Sequence, residues 1–158
     1  MSNNSLQVDI YNEQMCLSID IASVDRLVRC CLCYWKIATN QISVYFLEDD
    51  ALARLHDEIF SDPSLTDTIT LPIDAPGICA TPHVLGEAFI SPKAAIRFLG
   101  PRSEDTDLLY REISRYVVHS LLHLIGYDDQ TSEDRKKMRI KENQALCMLE
   151  KKRALITG

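Results

Sequence analysis

Apolar and polar residues alternate over 6–11 (LQVDIY), the period-two pattern of a half-buried strand. Over 20–36 the period changes. Ile21, Val24, Leu27, Val28, Cys31 and Trp35 recur at helical spacing. The β-rich run QISVYFLE at 41–48 predicts a second strand, and 49–60 predicts a short helix opening at an Asp pair. Residues 61–82 hold Pro63, Pro72, Pro76, Gly77 and Pro82 and predict a long loop with one short strand at 68–73. VLGEAFI at 84–90 predicts another strand. Ser91 then caps a helix whose first residue is Pro92, and Gly100-Pro101 stops it.

The longest predicted helix covers 104–125. Its start is acidic (Glu104, Asp105, Asp107), which suits the positive end of the helix dipole. Its second half is apolar on nearly every side through Val117, Val118, Leu121, Leu122, Leu124 and Ile125, so it belongs in the middle of a domain. Gly126 ends it. Thr131 and Asp134 resemble a capping box for a last helix at about 131–152. Several strands, flanking helices and one central buried helix predict an α/β (α+β) fold with a small mixed sheet, in one compact domain over 1–158.

Composition narrows the class. The chain has 158 residues, 46% apolar and 25% charged, which excludes disordered and low-complexity sequence. The net charge is −6, against a protein that coats nucleic acid non-specifically. The charge is unevenly spread. Residues 133–153 carry eight Lys or Arg against four Asp or Glu, a local +4 that leaves −10 on the rest. That basic helix reads either as a solvated face or as a docking patch for phosphates or an acidic partner. No apolar run reaches the length of a membrane helix, and the N-terminus lacks a signal-peptide pattern. The expectation is a soluble, cytoplasmic protein without membrane attachment. Cys30, Cys31 and Cys33 crowd one predicted helix and read as core cysteines rather than a metal site.

The informative chemistry is H-SLL-H-LIGYD-D. His119 and His123, four residues apart on a helix, share a face, so both imidazoles can reach one metal ion. Gly126 permits a left-handed turn that folds the chain back. Asp129, six residues past His123, is then the natural third ligand. Three protein ligands and an open position describe a catalytic metal site rather than a closed structural one. His56 and His83 are expected to face solvent. HExxH zinc peptidases place a glutamate directly after the first histidine as general base; here that position is Ser120, which disfavours a peptidase.

The segment VVHSLLHLIGYDD resembles the signature HGxLHLxGYDH of the YbeY family, bacterial metal-dependent endoribonucleases of ribosomal RNA maturation. SVYFLEDDALARLHDE, TDTITLP and LGEAFIS resemble that family's second strand and following helix, its TDVLSFP segment and its LGDIxIS strand. Met138 and Glu142 fall where the family's last helix carries similar residues. The resemblance implies a hydrolase, an endonuclease cutting single-stranded RNA by metal-assisted phosphodiester hydrolysis, in ribosomal RNA processing, ribosome biogenesis and quality control. It implies a divalent metal, zinc first, at His119, His123 and Asp129. It implies the small ribosomal subunit and its RNA, with a ribosomal protein or a GTPase, as partners. Thr66, Asp67, Gly86 and Glu87 match segments near the family's cleft.

Four positions depart from the pattern. Asp129 stands where the family has histidine, Phe60 where it has arginine, Ser120 where it has a small residue, and Glu87 where it has aspartate. Two histidines and a carboxylate also suit Fe(II), Mn or Ni. An anionic ligand weakens Lewis acidity. Phe60 cannot pair a phosphate; it can stack on a base or serve as a rim or core aromatic. Asp128 is the candidate general base by adjacency, or else supports the turn. The alternative function is a ribosome-associated assembly factor of the same fold with weak or lost nuclease activity. Candidate cations for RNA are Arg54, Lys93, Arg97, Arg102 and the basic last helix.

Overall fold

The β-rich run becomes strand β2 (Gln41–Leu47), near the middle of the sheet. Its alternation sorts its side chains between two faces. Ile42, Val44 and Phe46 are fully buried on one, while Tyr45 and Leu47 pack on the other. The computed structural model, which describes residues 5–158, sets β1 (Gln7–Glu13) parallel to β2 on one side. On the other side β4 (Val84–Ile90) is also parallel, and β3 (Thr68–Pro72) runs antiparallel to β4 at the far edge. The order β1-β2-β4-β3 is the small mixed sheet expected.

The helices fall on the two faces as their apolar stripes require. Helix α1 (Ile21–Tyr34), capped by Asp20, and helix α4 (Thr106–Leu124) cover the Ile42 face. Val117, Val118, Leu121 and Leu122 of α4 are fully buried, so this is the central helix of the domain. Helix α5 (Ser132–Lys151) lies against α4 and α1 through Met138, Ala145, Leu146 and Leu149. Its cap is the expected one, with Thr131 accepting from the Asp134 N–H. Helix α2 (Asp49–Phe60) sits on the opposite face, where Leu52 meets Leu47 and Ile69. Helix α3 (Pro92–Leu99) starts at the Ser91 cap.

Several expectations need correction. Helix α3 ends at Leu99, before Gly100-Pro101 as expected, but the chain does not pass directly into the next helix. Residues Gly100–Glu104 form a 3-10 turn, and Asp105 accepts from the Leu108 N–H, so α4 begins at Thr106 rather than at Glu104. His83 is buried, not solvent-facing: Nδ1 lies 2.7 Å from Thr39 Oγ1 and Nε2 lies 3.0 Å from the Ala75 carbonyl. Of the three clustered cysteines Cys31 is in the core and Cys30 packs half-buried against it, while Cys33 is exposed. Successive helical residues turn by roughly 100°, so three close neighbours cannot share one face.

Tyr11, Tyr45 and Phe89 stand in register across β1, β2 and β4, with ring centroids 4.6 and 4.7 Å apart. Gly86 marks where α4 meets the sheet. Its φ is +150°, and a Cβ there would stand 2.5 Å from the Leu71 carbonyl oxygen and 2.6 Å from Leu124. Among the described residues no helix is long and apolar enough to cross a membrane.

Candidate metal centre

The site forms at the C-terminus of α4, where the chain must turn. Gly126 adopts φ +112°. Its N–H donates to the His123 carbonyl at 3.1 Å, and the Tyr127 N–H donates to the Leu122 carbonyl at 3.0 Å. This is a Schellman ending, and glycine takes its left-handed position without a Cβ penalty. The Tyr127 carbonyl then faces back and accepts from His123 Nδ1 at 3.0 Å. A carbonyl can only accept, so Nδ1 carries the proton and Nε2 of the neutral ring presents a lone pair.

His119, one turn earlier, is held in the same way from α5. Its Nδ1 lies 2.9 Å from Glu142 Oε2. Glu142 is buried and also accepts from Arg115 Nη1 at 3.2 Å; Arg115 in turn reaches Asn143. Burial alone raises the Glu142 pKa, but the bonds from His119 and Arg115 outweigh it and hold the carboxyl below its usual range. Burial likewise works to lower the His119 pKa, and the Glu142 carboxylate, with Asp129 and Asp67 adding, raises it overall.

With both Nδ1 atoms engaged, both Nε2 atoms turn inward. They stand 3.1 Å apart, and Asp129 Oδ2 lies 3.2 Å from His123 Nε2 and 3.4 Å from His119 Nε2. Three such atoms at this separation can share a proton or surround one cation. Donors at about 2.0–2.1 Å from one tetrahedral ion stand about 3.3 Å apart, so the three atoms have the spacing of three corners. The set fits a divalent cation of zinc-like size. Asp129 is carried by a turn that is itself tied down. Asp128 Oδ1 accepts the Asp129 N–H at 2.8 Å, and Arg135 of α5 donates to the carbonyls of Asp129 and Gln130.

A cleft of 480 Å³ opens over these donors. Its wall is the edge strand β3 from Thr68 to Thr70 with Pro72, its far rim is His56 and Phe60 of α2, and Thr66, Asp67, Asp128 and Gln130 complete it. Among the described residues no Lys or Arg lines it, so Arg54, Lys93, Arg97 and Arg102 lie elsewhere. Arg97 is paired with Asp49. His56 is partly exposed, as expected, and the solvent it faces is that of the cleft. A second cleft of 240 Å³ shares Asp67 and His119 and is lined by Phe98, Arg115 and Arg139.

Thr66 and Asp67 thus join the histidines, while Gly86 and Glu87 do not line the cleft. Gly86 is pressed beneath Leu124, and Glu87 meets the Tyr45 hydroxyl on the outer sheet face. Sequence reasoning gave Glu142 no role in holding His119. The available signal was a carboxylate on the apolar stripe of the last helix, in step with Met138, Ala145 and Leu149.

The family model described as "Endoribonuclease YbeY" matches residues 9–150. A protein named "Endoribonuclease YbeY" from Chlamydia felis (strain Fe/C-56) is 68% identical over 157 residues, 99% of each chain. A namesake from Chlamydia pneumoniae is 60% identical over 158 residues, the whole of both chains. The solution structure of TM1509 from Thermotoga maritima superposes with a TM-score of 0.61 at 17% identity, covering 94% of this chain and 93% of that one, and so shares the fold. With the family model spanning nearly the whole chain and relatives this similar end to end, the chain belongs to the YbeY family.

Proposed function

We propose that this chain is a metal-dependent endoribonuclease that hydrolyses single-stranded RNA in ribosomal RNA maturation and ribosome quality control. We take residues 1–158 as one metallohydrolase domain acting in the cytoplasm. The reading rests on the family and on one observation above the rest: three donor atoms from His119, His123 and Asp129 converge at 3.1–3.4 Å on the floor of an open cleft. A divalent ion held there, zinc first and Fe(II), Mn or Ni otherwise, supplies Lewis acidity to a phosphodiester.

The chain's own residues do the rest. Glu142 and the Tyr127 carbonyl keep each imidazole's lone pair aimed inward. Asp128 and Asp67 are the carboxylates on the cleft lining available to accept a proton from an attacking water or hydroxyl. Asp128 has one oxygen engaged with the turn, so only its second oxygen is open to that role. Partners are small-subunit ribosomal RNA and, through surfaces outside the cleft, a ribosomal protein or a GTPase.

The cleft's lack of Lys and Arg favours a second reading, an assembly factor with little cleavage. Elemental analysis of untagged protein, beside Asp129→Ala, is paired with gel assays on single- and double-stranded RNA. About one ion per chain, lost in the variant, with chelator-sensitive cutting of single strands, is the expected result. A filled site with no cutting sinks the nuclease and leaves the assembly factor. Cutting that survives chelation sinks the metal's role.

A further inference from the structure

We infer that the His56–Phe60 rim of the cleft is a stacking subsite for an unpaired nucleobase of the strand being cut. The inference rests on the endoribonuclease reading and adds how the strand is held.

Phe60 is the last residue of α2 and is 58% exposed, so the hydrophobic core does not explain it. Ser61 turns the chain away in a left-handed conformation, φ +53°, which leaves the ring at the helix end beside the cleft. His56, one turn earlier, lies with its ring centroid 4.9 Å from that of Phe60 at 45°. Its Nδ1 lies 2.7 Å from the Asp62 carbonyl, which fixes the imidazole in place. Two adjacent rings, one of them tethered by a hydrogen bond, therefore stand at the mouth of the cleft that holds the metal donors.

Charge decides which part of a nucleotide they take. The C-terminus of α2 presents carbonyl oxygens and partial negative charge. Asp67, Asp128 and Asp129 add carboxylates, and among the described residues no Lys or Arg lines the cleft. A phosphate finds no side-chain cation at this rim, whereas a base, with its neutral π-face, does not need one. Aromatic stacking is the general means of holding unpaired bases, and it is unavailable to a duplex, whose bases are already stacked. The volume of 480 Å³ is within the range of small-ligand sites, about 300–1,000 Å³.

The test uses metal-loaded full-length protein and two uncleavable probes, a short 2′-O-methyl oligoribonucleotide and an abasic oligonucleotide of equal length. Phe60→Ala is expected to weaken the first probe by about 5- to 150-fold. It should leave the salt dependence of binding unchanged, because no phosphate contact is lost. In the cleavage assay KM should rise by a similar factor, with kcat moving less. Phe60→Tyr should retain binding. The abasic probe should bind the parent and Phe60→Ala alike and weakly. Phe60→Trp, placed in Trp35→Phe so that one indole reports, should be quenched by the base-bearing probe alone. Circular dichroism checks that the variants fold.

Equal binding of the first probe by parent and Phe60→Ala overturns the inference, as does tight binding of the abasic probe. If the parent still cuts RNA in that case, the nuclease reading stands without the stacking subsite. If the parent neither binds nor cuts, both fall.

Discussion

Ser120 offers a test of the core that does not involve the cleft chemistry. It lies on α4 with no exposure, and among the described residues its hydroxyl has no hydrogen-bond partner. A buried hydroxyl left unpaired costs about 1–3 kcal/mol. Replacing it by alanine removes the oxygen, leaves a side chain of almost the same size, and adds up to about 0.5 kcal/mol of helix propensity. Ser120→Ala should therefore stabilise the protein by about 1–3 kcal/mol, a rise of roughly 3–10 °C in Tm for a domain this long. Ser114, equally buried on the same helix, is the control. Its Oγ donates to the Tyr110 carbonyl at 2.8 Å and accepts the Ile156 N–H at 3.0 Å. Ser114→Ala should lower Tm by a comparable amount. Differential scanning calorimetry of chelator-treated protein keeps metal binding out of the comparison. A lower Tm in Ser120→Ala would refute the reasoning, because it would mean the hydroxyl is paired, for example by a buried water.

Three further outcomes follow from named contacts. Glu142→Gln keeps the shape beside His119 but removes the charge, and should weaken zinc binding by about 10- to 100-fold in a chelator competition; an unchanged affinity would count against Glu142 as the residue that orients His119. Gly86→Ala should destabilise by about 2–4 kcal/mol in urea unfolding, since backbone on one side and Leu124 on the other leave the new methyl no room. Asp49 sits between Ser91 and Arg97; burial raises its pKa, but those two partners outweigh it and hold it low. A depressed pKa stabilises the fold above the ordinary carboxylate value of about 3.9 and ceases to as pH falls through the folded value. Asp49→Asn should therefore cost about 1–2 kcal/mol at pH 7 and progressively less below pH ~4. A pH-independent difference would exclude this linkage.

How much was readable from the chain follows the range of the interactions involved. Strand β2 and helix α4 were legible because alternation and helical spacing are local, and the Thr131 and Ser91 caps lie within three residues of their partners. The turn at Gly126 was legible for the same reason, and with it the approach of Asp129 to His123. His83 was misjudged because Thr39 and the Ala75 carbonyl, which bury it, meet it only through the sheet's assembly. Glu142 lies 23 residues from His119, too far for any periodicity to join them. His56 faces the cleft only because α2 and α4 flank the same edge strand, a matter of topology rather than pattern. Gly86 gave a true signal of close approach, but the approach is of helix to sheet, not of ligand to backbone.

The donor set is also nearly all local in the chain. His119, His123 and Asp129 span eleven residues, and Glu142 extends the unit only as far as the facing helix. The donors therefore cluster on the turn that joins α4 to α5, so a bound ion should act first on the local fraying of that turn. In hydrogen exchange, amides at the end of α4, in the 125–131 turn and in the first turns of α5 should slow most on metal loading. Amides of β1 and β2 would register only the gain in global stability. If exchange slows beyond that gain there and nowhere else, the ion is a clasp on one turn rather than a pillar of the whole fold.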